Sequence, residues 1–166
     1  MRTTTGFDVR RNQILAAVPE QELQHLNGHL QPVALEVGQV LYRPHQRMQQ
    51  VYFPLTGVVS LTAELEDEQV VEVATIGNEG MIGLPVFLGA ASPAECASVQ
   101  ITGRALQMSA EQFRHEAAVL DGGLQAALQR YTQALFIQLA RNAACNGAHS
   151  IRQRCARWLL MTADRV

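Results

Sequence analysis

The sequence has no lysine; all 13 of its basic residues are arginine. Against 15 acidic residues they leave a net charge of −2, which gives no reason for nucleic acid or an acidic membrane to bind the chain as a whole. No run of about 18 apolar residues, no secretory h-region and no lipidation motif is present, so the expectation is a soluble, cytoplasmic protein without membrane contact. Cysteine is scarce. Cys96, Cys145 and Cys155 are odd in number and lack metal-type spacing, which fits reduced thiols rather than a disulfide framework.

Chemistry-bearing constellations are missing too. No Gly-x-Ser-x-Gly elbow occurs, and Cys145 with His149 falls in a break between helical segments rather than beside a strand-built oxyanion site. The histidines are His25, His29, His45, His115 and His149, so none falls between residues 46 and 114, the strands that would have to line a cupin-type metal centre. His25 and His29 stand four apart on an expected helix, but two ligands do not make a site, and the pair reads as solvent-facing. The expectation is therefore a protein that is not an enzyme, with no catalytic residue, no cofactor and no metal.

What is present is a clear change of period along 166 residues, enough for one domain with a sizeable core and an appendage. Residues 8–30 carry a helical pattern, with Pro19 as a first-turn proline. From about 31 to 108 the period becomes two, in "VALEV", "QVLY", "QVYF", "GVVSLTAEL", "QVVEVATI" and "SVQIT", short β-branched segments separated by turn residues. Such closely spaced short strands predict a barrel or sandwich such as a jelly roll. "SAEQ" at 109–112 is a capping box that opens a helix over 109–117.

A longer helix follows over about 121–144. Leu124, Leu128, Tyr131, Leu135, Gln138 and Asn142 recur in alternating four- and three-residue steps, the seam of a helix packed lengthwise on a partner. The expected partner is a second copy, with Gln138 and Asn142 setting register in a homodimer interface; the alternative is the chain's own roll. Cys145 continues the pattern, as a small seam residue or as a redox-switchable contact between copies. "CNGAH" at 145–149 reads as a hinge, and "SIRQ" at 150–153 as a second capping box, with Ile151, Cys155, Trp158, Leu159 and Thr162 on one face of the helix it opens. Arg152, Arg154, Arg157 and Arg165 read as a solvated face, with phosphate contact as the alternative.

This order of elements resembles the Crp/Fnr superfamily of bacterial transcription regulators over roughly residues 12–166. The carriers are "EVGQVLYRPHQRMQQVYFPLTGVVSL", "GNEGMIGLPVFLG", the seam helix and "ACNGAHSIRQRCARWLLMTADRV". The resemblance implies an α+β fold: an antiparallel, double-stranded β-roll of the cyclic-nucleotide-binding type, with N-terminal helices and a long C-terminal dimerisation helix. It implies a sensor and dimerisation domain over 1–145, then, over 146–166, the hinge and first helix of a winged helix-turn-helix whose remainder is missing. A homodimer is expected, with DNA bound only through the missing part. The runner-up is a standalone small-molecule-binding module without a DNA partner. Relatives that carry an iron–sulfur cluster use N-terminal cysteines, and nothing here precedes Cys96.

In cyclic-nucleotide-binding relatives a Glu in the glycine loop accepts from the ribose hydroxyl, and a downstream Arg pairs with the phosphate. Matched through Gly80 and Gly83, this sequence has Leu84 at the Glu position and Glu95 near the Arg position, just before Cys96. The charge is inverted where a phosphate would need a guanidinium. From Met48 to Gly103 there is no basic residue, against seven acidic ones: Glu64, Glu66, Asp67, Glu68, Glu72, Glu79 and Glu95. Gly77, Gly80, Gly83 and Gly89 are then expected to be turn residues with positive φ. Gly80, Gly83, Leu84, Glu95 and Cys96 are the candidate pocket, degenerate for a nucleotide. It either admits another small-molecule effector or is packed core.

Overall fold

Two long strands carry the architecture of the chain, whose computed structural model describes residues 7–66, 69–120 and 122–165. Asp121, the expected first residue of the long helix, lies outside the described residues, as do Asp67 and Glu68 of the acidic stretch. A short 3-10 turn, Val9–Arg11, precedes α1 (Gln13–Ala16) and α2 (Glu20–Asn27). The strands are β1 (Gln31–Leu35), β2 (Val40–Tyr42), β3 (Gln50–Glu64), β4 (Val70–Ile76) and β5 (Cys96–Ser109). Between the last two lies α3 (Leu84–Phe87), and α4 (Ala110–Val119), α5 (Gly123–Ala148) and α6 (Ile151–Ala163) complete the chain. All pairings are antiparallel in the order β1-β5-β3-β4, with β2 also on β5. This is the cyclic-nucleotide-binding jelly-roll fold that the sequence implies, with its long C-terminal helix.

The expected segments "QVYF" and "GVVSLTAEL" are one continuous strand, β3, which pairs with β5 from Gln50↔Ser109 to Thr62↔Cys96. Register shifts between Pro54 and Val59 bend it, so a single strand serves both halves of the roll. The bend needs glycine on both strands: a Cβ at Gly103 would stand 2.1 Å from the Thr56 carbonyl oxygen, and Gly57 has φ +85°. Period-two reading marks the turn residues at this bend and takes them for a strand end. The core inside the roll is built from Leu35, Val51, Phe53, Leu106 and Phe113, the two rings lying 6.3 Å apart.

The helical stretch at 8–30 is divided by Asn12, which is fully buried. Its Oδ1 accepts from the N–H groups of Ile14 and Leu15 at 3.1 and 3.2 Å, capping α1. Its Nδ2 donates to the Pro54 and Gly80 carbonyls at 3.0 and 2.8 Å, fastening α1 to the strand bend and to the glycine loop. Pro19 stands at the N-cap of α2 rather than in its first turn. Glu22, buried on α2, accepts from the N–H groups of Gly123 and Leu124 at 2.9 and 3.0 Å and so holds the first turn of α5, where a carboxylate also suits the helix dipole. At α4, Ser109 caps Gln112 as expected, but the Gln112 side chain turns to Glu116 instead of closing the box.

Helix α5 runs through "CNGA" to Ala148, and the break falls at His149, whose backbone is extended. One glycine, Gly147, costs a helix interior only about 1 kcal/mol, whereas the capping box of Ser150 and Gln153 imposes a start on α6. Of the face expected on α6, only Thr162 is buried, and Ile151 and Leu159 are exposed. Two of the arginines expected to be solvated are held by the chain instead: Arg165 pairs with Glu79 at 2.7 Å and Arg157 donates to Asn142. The Trp158 indole N–H donates to Glu72 at 2.9 Å, so α6 folds back on β4. No helix among the described residues is long and apolar enough to cross a membrane.

Candidate functional site

The glycine loop leaves β4 at Ile76 and returns to the sheet at Ile82, which exchanges both backbone hydrogen bonds with Tyr52. Gly83 and Gly89 have positive φ, as expected, but Gly77 and Gly80 do not. Those two are glycine because of what lies against them: a Cβ at Gly80 would stand 2.6 Å from the Tyr131 hydroxyl, and one at Gly77 2.8 Å from the Arg165 side chain. The loop is thus pressed against α5 and α6, contacts between distant segments that a one-dimensional pattern does not carry. Gly83, at φ +102°, starts α3 and turns Leu84 inward.

Gly83, Leu84 and Glu95 line one cavity of about 220 Å³ between the roll and α5. Leu61, Ile76 and Met81 wall it on the roll side, and Leu135, Phe136 and Leu139 on the helix side. Gly80 lies against Tyr131 rather than on this wall, and Cys96 adjoins Glu95 as the first residue of β5. Its polar feature is a pair that joins two elements. The hydroxyl of Tyr42, at the end of β2, donates to Glu95 Oε1 at 2.9 Å, and the Ala94 N–H donates to Oε2 at 3.2 Å. Burial pushes the Tyr42 phenol well above its ordinary value, with the neighbouring carboxylate adding to the shift. Among the described residues no arginine lines the cavity. Tyr42 went unmarked in the sequence because only the fold sets β2 beside the residue preceding β5.

The six seam residues lie on the face of α5 turned to the chain's own roll. Leu124, Leu128 and Tyr131 are buried there, and Leu135 packs on the core. Gln138 Nε2 donates to the Thr75 carbonyl at 3.1 Å and Asn142 Nδ2 to that of Val73 at 2.8 Å, so the polar members are spent on β4. Leu135, Gln138 and Asn142 are only half-buried against the roll, which leaves part of each side chain open to a second copy. Beside the seam, Phe136 and Ile137 are 61% and 43% exposed. The cysteines are free thiols, with Cys155 exposed and Cys145 half-buried. His25 and His29 are not alone: buried Glu116 of α4 lies against both imidazoles.

One wall of the cavity is thus the roll and the other a long helix, with the glycine loop between them. The chain belongs to the cyclic nucleotide-binding domain family, whose model matches residues 32–118. No curated protein sequence gives a match. Among solved structures the fold is shared with the c-di-GMP responsive global regulator CLP of Xanthomonas campestris, at TM-score 0.69 and 14% identity, over 85% of this chain and 70% of that one. FixK2 of Bradyrhizobium japonicum matches at TM-score 0.69 and 18% identity, over 82% of this chain and 67% of that one. The regulatory subunit of a cAMP-independent protein kinase A from Trypanosoma brucei matches at TM-score 0.64 and 18% identity, over 75% of this chain but 44% of that one.

Proposed function

We propose that this chain is the effector-sensing part of a Crp/Fnr-type transcription regulator, acts as a homodimer, and responds to a ligand other than cyclic AMP. The observation that carries this reading is the Tyr42–Glu95 pair set in an apolar cavity whose far wall is α5. A cyclic phosphate entering there would meet a carboxylate and no guanidinium, and a desolvated like-charge contact opposes binding. The chemistry fits a small, largely apolar effector, neutral or cationic, offering a hydrogen-bond donor to Glu95. The fold also hosts regulators of differing ligand dependence: by their descriptions, CLP is responsive to c-di-GMP and the trypanosome kinase is cAMP-independent.

Signal transfer follows from the cavity's second wall. A ligand touching Leu135, Phe136 and Leu139 favours one setting of α5 against the roll, and α5 leads directly to the break at His149 and to α6. A difference of a few kcal/mol between two settings is enough to shift the population. Ile137 and the exposed part of Phe136 flank the seam, so the homodimer contact is assigned to the exposed side of α5. DNA contact is assigned to the winged helix-turn-helix that α6 would begin, and the protein's place to the cytoplasm.

Native mass spectrometry of the purified protein, alone and with cyclic AMP or cyclic GMP, tests this. A dimer without nucleotide adduct is expected, and any co-purified mass leads to the effector. A saturable nucleotide adduct would overturn the assignment of the cavity, and a monomer at micromolar concentration the assignment of the α5 face.

A further inference from the structure

Away from the sensing cavity, α2 and α4 bring three metal-ligating side chains together. His25 sits in the last turn of α2; the chain then leaves the helix at Gly28, and the His29 N–H bonds to the Leu26 carbonyl at 2.9 Å. That turn keeps both imidazoles on the side facing α4. Their Nε2 atoms lie 2.8 Å from Glu116 Oε2 and 3.5 Å from Glu116 Oε1 respectively, and the three ligand atoms fall within 4.8 Å of one another. Glu116 is 1% exposed. Gln112 donates to its Oε1 and so fixes the carboxylate plane, and the buried Oε2 has only the His25 imidazole against it. A buried carboxylate oxygen in that state is costly unless a cation stands at it.

The geometry points to a zinc-binding site formed by His25, His29 and Glu116. Two imidazole nitrogens and one carboxylate are a donor set suited to Zn²⁺, and a fourth position is left for water. With bonds of about 2.0–2.1 Å, ligand atoms around a tetrahedral zinc stand about 3.3 Å apart, inside the 4.8 Å that contains one ligand atom from each of the three residues. The imidazoles, 54% and 39% exposed, give the ion and its water a route from solvent. Gln112 is the outer partner that holds the carboxylate in place.

The site's position gives it a consequence. Helix α2 holds α4 through this cluster and the first turn of α5 through Glu22, so it grips both sides of the connection between Val119 and Gly123. An ion here ties α2 to the segment leading into the helix that walls the cavity, a second input to α5 independent of what fills the cavity.

Zinc titration of the chelator-stripped full chain, in competition with a chromophoric chelator, tests the assignment. One Zn²⁺ per chain is expected, with affinity reduced at least a hundredfold in His25→Gln and in His29→Gln. Both substitutions are at exposed positions, and circular dichroism should confirm that each variant folds. At a hundredfold excess over Kd, zinc should raise Tm by about 5 °C or more in the parent and not in these variants. Co²⁺ in the site should give a spectrum without a thiolate charge-transfer band. Failure to bind zinc overturns the proposal and leaves the cluster as a histidine–carboxylate contact. Binding that survives both histidine substitutions, or is lost instead in Cys145→Ser or Cys155→Ser, overturns it as well.

Discussion

Replacing Asn12 should unfold this domain far more readily than the loss of a helix cap explains. Asn12→Ala removes the acceptor for the Ile14 and Leu15 amides and the donor for the Pro54 and Gly80 carbonyls. A lost N-cap costs about 1 kcal/mol, and each buried carbonyl left without a donor about 1 kcal/mol more, giving about 3 kcal/mol in all. For a domain of this size that corresponds to a fall in Tm of about 6–12 °C. Asn12→Asp separates the two functions of the side chain. Aspartate caps helices as well as asparagine does, yet here its second oxygen would face two carbonyl oxygens in a fully buried place. Thermal and urea unfolding should therefore rank Asp as low as Ala or lower, with an unchanged m-value. If Asn12→Asp melts within a degree or two of the parent, Asn12 is only a cap, and the fastening of α1 to the glycine loop does not contribute.

The other expectations concern the cavity, α5 and the tyrosines. Leu84→Glu combined with Glu95→Arg restores the ribose acceptor and the guanidinium, and calorimetry should then detect cyclic AMP; no heat would mean that the cavity shape itself excludes a nucleotide. Ile137→Asp should halve the mass seen by sedimentation while leaving Tm nearly unchanged. Leu135→Asp, whose side chain packs on the roll, should instead lower Tm by several degrees, since burying an unpaired charge costs several kcal/mol; the reverse pattern would return the dimer contact to the seam face. Burial raises the phenols of Tyr42 and Tyr131 above the ordinary value of 10.0, so folding favours their neutral forms. Their contribution is complete below pH 10 and is lost progressively as pH rises above it, so denaturant midpoints should fall from there upward and fall less in Tyr42→Phe. A flat alkaline limb in the parent would count against both tyrosines being held neutral.

Much of the fold was legible because it rests on local signals. Period-two segments place the strands, Ser109 and Ser150 start their helices where capping chemistry puts them, and the apolar spacing marks the buried face of α5. The pocket was legible in part: Gly83, Leu84 and Glu95 meet in one cavity, whereas the Tyr42 hydroxyl reaches Glu95 across 53 positions of sequence. Asn12 could have been found, because an asparagine before "QILA" is a helix-start signal, but its bond to Gly80 spans 68 positions. What sequence spacing cannot supply is the object that a face packs against.

Helix α5 makes this concrete. Leu124, Leu128, Tyr131, Leu135, Gln138 and Asn142 follow the same four-three steps whether the partner is a helix or a sheet, because the steps report only which side of the helix is turned inward. Gln138 and Asn142 read as register-setting residues between two copies, yet a β-sheet also offers what such side chains need, a row of backbone carbonyls, and they take Thr75 and Val73. The informative positions for self-association are then those that break the buried pattern. Phe136 and Ile137 lie outside the seam, are large and apolar, and stay more exposed than the seam residues. Under the proposed function α5 has to satisfy both demands at once, reading the cavity and passing its setting to a partner, and Phe136, which lines the cavity and is still largely exposed, borders both.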